Sequence, residues 1–185
     1  LEVLQQRGDA AQDLTRTILA DPALAAAVLR AANSAHLGYS RRVAGVRQAT
    51  VMLGASLVNS LAASRVADLV FDTDAPDYPD WLWLHSLATA CSATVLARRG
   101  GESPDDAYTA GLLHEVGWLL GAGTGAASPD QDHAALGARL LTRWNLPERI
   151  ATAVNLHHAR PAALAGPLER IVVAGHAFAA SLGAG

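Results

Sequence analysis

Apolar residues recur along this chain at helical spacing, and glycine, proline and polar clusters break the recurrence into segments. In "ADPALAAAVLRAANSA", Leu24, Val28, Ala31 and Ala35 share one helical face. Asp21 is a capping residue, and Pro22 after it suits the first helical position. Gly38 and the "SRR" of residues 40–42 interrupt the pattern. A second helical stretch runs from about Val46 to Leu53. Gly54 breaks it, and a longer one continues to about Phe71. The polar segment "DTDAPDYPD", residues 72–80, holds two prolines and reads as a linker. It divides the chain into an N-terminal half, residues 1–71, and a C-terminal half, residues 81–185.

The second half repeats the helical pattern. "WLWLHSLATACSATVLARR" is long enough for five turns. "GGESPDD" follows, and its Ser103, Pro104 and Asp106 mark a helix start. The next helix carries His114 and Glu115. Residues 121–130, "GAGTGAASPD", read as a loop. "QDHAALGARLLTRW" is a further helix. "NLPERIATAVNLHH" begins another, with Asn145 and Glu148 spaced as a capping box. "GPLERIVVAGHAFAASLG" closes the chain as a helix, although "RIVVAG" alone has the composition of a strand. The expectation is an all-α fold without internal repeats.

Composition agrees with one domain. Of 185 residues, 51% are hydrophobic, and alanine is so frequent that closely packed helices are favoured over a sheet. The net charge of -3 argues against a global commitment to nucleic acid or membrane. No apolar run approaches a membrane span, and no signal peptide is evident. The chain begins inside helix-like material and reads as a piece of a longer protein. The single cysteine, Cys91, lies in an apolar helical run and reads as a buried, inert thiol. A reducing, cytoplasmic setting is the expectation.

Seven histidines are present, and six of them follow the linker: His85, His114, His133, His157, His158 and His176. Helices of a bundle often build sites from facing side chains. Imidazole mixed with oxygen ligands suits zinc, iron, nickel or manganese. The opposing reading is a set of packing histidines, since no short ligand motif appears. Glu115 adjoins His114 about 100° around the helix, so the two would share a site only by bordering a wide cavity.

Candidate interaction residues lie in the first half. Asn33 and Ser34 are polar residues in an alanine-rich helix, suited to hydrogen bonds with a neighbouring helix or backbone. His36 and Tyr39 adjoin them, and Asn59 and Ser60 repeat the theme. Arg41, Arg42 and Arg47 form a modest basic cluster. Charge elsewhere speaks against a DNA-reading helix-turn-helix, and the cluster reads as a solvated face or as a patch that docks an acidic partner. Together Asn33, Ser34, His36, Arg41, Arg42 and Arg47 outline a partner groove. Trp81, Trp83, Trp118 and Trp144 read as core anchors, with Trp81 and Trp83 sealing the junction between halves.

These segments, in this order, resemble the HDOD domain, a family of divergent relatives of the HD superfamily of metal-dependent phosphohydrolases. The resemblance spans essentially the whole chain. It rests on "ILADPALAAAVLRAANSAHLG", "VRQATVMLGASLVNSLA", "WLHSLATA", "AYTAGLLHEVGWLL", "HAALGARLLTRWNLPERIATAVNLHH" and "RIVVAGHAFA". It implies an HD-like helical bundle with an additional N-terminal helical subdomain.

In that resemblance the first ligand histidine falls on His85 and the namesake His-Asp pair on His114 and Glu115. The extra histidines of the two-metal branch fall on His133, His157 and His158, and the final ligand aspartate on His176. Two departures follow: the pair reads His-Glu, and the late aspartate has become histidine. No GYP-type motif follows. The implied function is a bacterial signal-transduction module without robust catalysis, working through signalling proteins, fused signalling domains or a nucleotide-type small ligand.

The alternative is a divergent metal-dependent phosphodiesterase. It would use these seven residues, one or two divalent ions (iron, manganese or zinc) and Arg160 as a phosphate contact. A third reading leaves the histidines as metal-free remnants.

Overall fold

The computed structural model describes residues 13–34, 42–71, 80–118 and 133–183, and among them every regular element is helical. A short helical segment at 13–19 leads into α1 (Pro22–Ala32). Then come α2 (Val46–Phe71), α3 (Asp80–Gly100), α4 (Pro104–Leu113), α5 (His133–Arg143), α6 (Glu148–Asn155) and α7 (Pro167–Ser181). A 3-10 turn at Pro161–Ala163 joins the last two.

Local chemistry sets most helix ends where the sequence places them. Asp21 accepts hydrogen bonds from the Ala23 and Leu24 amides at 2.9 and 3.0 Å, with Pro22 as first residue of α1. Ser103 Oγ accepts from the Asp106 amide at the start of α4. α2 contains the expected break: Gly54 sits at φ 75, a left-handed conformation that a side chain would strain.

The start of α6 differs from the capping box expected at Asn145 and Glu148. Asn145 instead ends α5 with φ 59. The Leu146 amide donates to the Leu141 carbonyl and the Asn145 amide to the Thr142 carbonyl. This is a Schellman ending, in which Asn tolerates the left-handed position. With Asn145 used there, α6 begins after Pro147, and no side chain caps it.

The C-terminal half is organised around α3, against which α4 and α7 both pack. Small residues let the backbones approach. A Cβ on Gly111 of α4 would lie 2.8 Å from Ala90 Cα, so only glycine permits this crossing. α5 and α6 pack as a pair, and α6 also touches α4 and α7. Helices α3, α4 and α7 therefore meet with α6 on a common interior.

Buried apolar residues of both halves belong to one cluster, from Ile18, Leu29 and Val43 to Leu113, Ile150 and Val172. Polar contacts fasten the halves as well. Trp83 Nε1 donates to the Ala20 carbonyl at 2.7 Å, and the Tyr108 hydroxyl to the Leu19 carbonyl at 2.5 Å. Those carbonyls end the 13–19 segment, where helix acceptors lack partners of their own. Arg42 Nη1 reaches the Leu146 carbonyl at 3.4 Å.

Two expectations about the core are corrected. Cys91 is exposed on α3. None of the four tryptophans is fully buried: Trp81 and Trp83 are exposed, and Trp118 and Trp144 half-buried. The core is built from alanine and medium aliphatic residues, which leaves little room for an indole. Trp83 does join the halves, by its ring N–H, while Trp81 stacks edge-on against Trp118 at 5.8 Å.

Candidate metal centre

Two neighbouring pairs, His114–Glu115 and His157–His158, follow helix ends. α4 stops at Leu113, residues 114–115 form a turn, and helix resumes over 116–118. α6 stops at Asn155, and residues 156–158 form a turn. Within a continuous helix adjacent side chains diverge by about 100°. Leu156 leaves helical geometry (φ -103, ψ 9) ahead of His157 and His158, whereas His114 keeps it (φ -64, ψ -28), and both members of each pair border one interior. The sequence reading carried His114 and Glu115 inside a helix; regular helix is interrupted at these two residues, although His114 keeps helical angles.

The same hydrogen bond recurs at both ends. His114 Nδ1–H donates to the Gly111 carbonyl at 2.7 Å, and His157 Nδ1–H donates to the Val154 carbonyl at 2.6 Å. Each carbonyl lies in the last helical turn, three residues before its histidine, where acceptors run short of intrahelical donors; the Val154 carbonyl also takes the His157 amide at 3.5 Å. The bond places the ring proton on Nδ1 and leaves Nε2 as a bare lone pair facing inward. Outer bonds of this type orient metal-binding imidazoles.

His85 from α3 and His176 from α7 complete the first convergence. His85 Nε2 lies 3.0 Å from His114 Nε2 and 3.0 Å from His176 Nδ1, and the last two are 3.3 Å apart. His133, at the start of α5, completes the second. Its Nε2 is 3.2 Å from His157 Nε2 and 3.0 Å from His158 Nε2.

Glu115 stands between the two. Its Oε1 is 3.4 Å from His114 Nε2 and 3.7 Å from His157 Nε2, and its Oε2 is 3.1 Å from His133 Nε2. The donors thus form two groups that share one carboxylate: His85, His114, Glu115 and His176, and Glu115, His133, His157 and His158. Either group could hold a metal ion, since its ligand atoms all lie within 4.8 Å of one another.

Hydrogen bonding alone accounts poorly for this packing. A ring N–H points one way and serves one acceptor well. With His114 Nε2 bare, at most two edges of the His85–His114–His176 triangle can be hydrogen bonds. His133 Nε2 has three close polar neighbours and at most one proton. For metal–nitrogen bonds of about 2.0–2.1 Å, ligand atoms around one ion stand roughly 2.9–3.4 Å apart. The observed 3.0–3.3 Å separations fall in that range.

Burial also favours uncharged imidazole, the ligand form. Desolvation first, then the neighbouring imidazoles, hold His157 down at about 3 and His176 at about 4, from an ordinary 6.5. His114 is driven well below its usual value for the same reasons. Burial pushes the Glu115 carboxyl up to about 7. Its short contacts to histidine are therefore not ion pairs without a cation, since the same burial keeps the imidazoles neutral.

All seven expected donors are brought together. Arg160 is exposed at the start of the 3-10 turn, two residues beyond His158. Of the six residues of the expected groove, four are described. Asn33 is buried and clamps Val43: its Oδ1 accepts from the Val43 amide, and its Nδ2 donates to the Val43 and Leu29 carbonyls, all within 2.9 Å. Ser34, Arg42 and Arg47 are exposed. His36 and Arg41, like Tyr39, lie outside the described residues.

Sequence reasoning missed Gly117. A Cβ there would lie 2.0 Å from the His133 carbonyl and 2.5 Å from the Gly137 amide, so its absence lets the start of α5 bring His133 to Glu115. The signal was the glycine two residues after Glu115.

A family model of the HDOD domain matches residues 1–129 and 126–160, and the chain belongs to the HDOD-domain family. An uncharacterized protein of Treponema pallidum (strain Nichols) is 28% identical over 177 residues, covering 80% of this chain and 34% of the relative. Ribonuclease Y of Opitutus terrae is 32% identical over 74 residues, covering 40% of this chain and 13% of that protein. The matches thus span about a third and about an eighth of these curated relatives. The crystal structure of the response regulator MmoQ from Methylococcus capsulatus superposes with a TM-score of 0.78 at 27% identity. That superposition covers 97% of this chain and 81% of MmoQ. Among the described residues no helix is long and apolar enough to cross a membrane.

Proposed function

We propose that this chain is a regulatory HDOD module whose histidine–glutamate centre holds divalent metal ions, and that it works through interaction with signalling partners. The family match and the likeness to a response regulator support the regulatory part. The observation that carries the metal part is Glu115, whose carboxylate lies close to histidine nitrogens of both groups. Six imidazoles with one carboxylate suit iron, manganese or zinc.

A second reading, a phosphodiesterase, is favoured by the exposure of His158 in the second group. Metals bound there would supply Lewis acidity toward water and phosphate oxygens. The chain's own part would be to orient the imidazoles through Gly111 and Val154 and to offer Arg160 to a phosphate.

The test is metal content per chain by inductively coupled plasma mass spectrometry on untagged protein, beside a His114→Ala/His157→Ala double variant. The expected result is one or two equivalents of iron, manganese or zinc, lost in the folded variant. Metal-free protein that regains none from solution would sink the metal reading. Hydrolysis of cyclic dinucleotides by the loaded protein, absent in the variant, would favour the second reading over the first.

A further inference from the structure

A groove of about 800 Å³ lies where the C-terminal ends of α1 and α5 meet, between the two halves. Its walls include Arg30, Ser34, Arg143, Trp144 and Asn145, and among the described residues no lining residue is acidic. Arg30 and Arg143 each sit in the last turn of their helix and are exposed. Neither makes an ion pair among the described residues. The Arg30 guanidinium lies 5.8 Å from the Trp144 ring centroid, a cation–π contact that fixes it along the wall.

Two helix C-termini together offset roughly one of the two positive charges. About one unit of positive charge therefore faces solvent, on a chain whose net charge is -3.

The neighbouring cleft makes a useful contrast. It is about 510 Å³ and is lined by Arg42, Arg149, Asp105 and Asp106. There Arg149 pairs with Asp106 at 2.6 Å, so its charge is largely answered within the molecule. The α1–α5 groove has the cations without the carboxylates. It also offers apolar surface on Leu140 and half-buried Trp144. A bare inorganic anion would use the charge and leave that surface wet. A chain bearing carboxylates and apolar side chains would use both.

We propose that the groove between α1 and α5 docks an acidic, partly apolar segment of a partner protein, with Arg30 and Arg143 taking its carboxylates and Trp144 its apolar side chain. The proposal rests on reading the chain as an interaction module, but on none of the metal donors. Guanidinium–carboxylate bonds supply orientation, and indole burial supplies area.

The full chain would be titrated with a short fluorescein-labelled peptide of alternating glutamate and leucine, followed by anisotropy. Binding that weakens with salt and falls about tenfold in Arg30→Gln/Arg143→Gln is expected, against no change in Arg99→Gln, an exposed charge on α3. Because Arg30 packs on Trp144, Arg143→Gln alone is measured as well, with thermal melting of each variant. Its expected loss is several-fold with an unchanged midpoint. Equal affinity in wild type and Arg143→Gln, or no binding to wild type, would overturn the proposal. So would full displacement of the peptide by low-millimolar inorganic phosphate, which would mark a small-anion site. Metal content is the same in all these variants if the metal reading holds, so the two can fail separately.

Discussion

His85, His114 and His176 meet in a pocket where the first two are nearly sealed from solvent, whereas His133, His157 and His158 meet beside an exposed ring. Both groups use one device: a histidine three residues after a last-turn carbonyl, tied back to it by Nδ1–H. What differs is what surrounds the device. The first group draws its other imidazoles from α3 and α7, which pack tightly together, and the second from the start of α5 and the open turn after α6. The same local chemistry thus yields one closed and one accessible set of donors. A closed set would hold an ion slowly and tightly, while an accessible set would exchange it or admit a ligand. Glu115 links them, so each variant below asks how far the two can be separated.

The largest effect is expected from Glu115→Gln, which keeps the shape and removes the shared charge. Both groups should lose affinity by more than the roughly 10–100-fold that loss of an outer partner costs. Full metal content in that variant after dialysis would show that the carboxylate is not the link.

In metal-free protein the same substitution has a pH signature. His157 and His176 are depressed to about 3 and about 4, so their contribution is present above 6.5 and is lost as pH falls through those values. Glu115 is raised to about 7, so its contribution is full below the ordinary 4.5 and is lost as pH rises to 7. Between pH 7 and 4.5 the glutamate gains stability on acidification, and the histidines oppose it. Urea denaturation of chelator-treated Glu115→Gln should therefore show a steeper loss of stability over that window than wild type. Parallel curves would contradict the buried, neutral carboxyl.

Gly117→Ala should act on one group. The new Cβ cannot share space with the His133 carbonyl, so α5 must move outward. A cost of about 1–3 kcal/mol in urea denaturation is expected. The second group should weaken while the first holds its metal. Unchanged stability would mean that α5 does not pack on the turn.

Much of this was legible in the chain because the deciding signals are local. Asp21–Pro22, Ser103–Pro104 and Gly54 mark their boundaries through capping and backbone preference alone. The seven donors could be named from their family positions, since imidazole and carboxylate side chains stand out in an alanine-rich sequence.

The asymmetry between the groups was not legible. It depends on which helices pack over each imidazole, a long-range property that no spacing encodes. The turn at His114–Glu115 was hidden because "GLLHEVGWLL" has continuous helical composition and His114 itself keeps helical angles. The exposure of Cys91 was misread for a related reason. Apolar composition around it says helix, but only tertiary packing says which face is covered. Asn145 reads equally well as a cap for the next helix or a left-handed ending for the last, and Pro147 settles it by fixing where α6 can begin.

The finest division of the two groups comes from His158→Gln. His158 is the exposed member of the second group, and Glu115, His133 and His157 remain after its removal. Three ligands with water in the fourth position is a common arrangement for an accessible site, so loss of metal should be partial, about tenfold at the second group. The first group contains no atom of His158 and should keep its ion, whose release to a chelator should stay slow. Two kinetic phases of metal release are expected in wild type, with only the faster one accelerated in the variant. A single phase in both proteins, or equal acceleration of both phases, would show that the seven donors act as one site. The difference in exposure would then have no functional consequence.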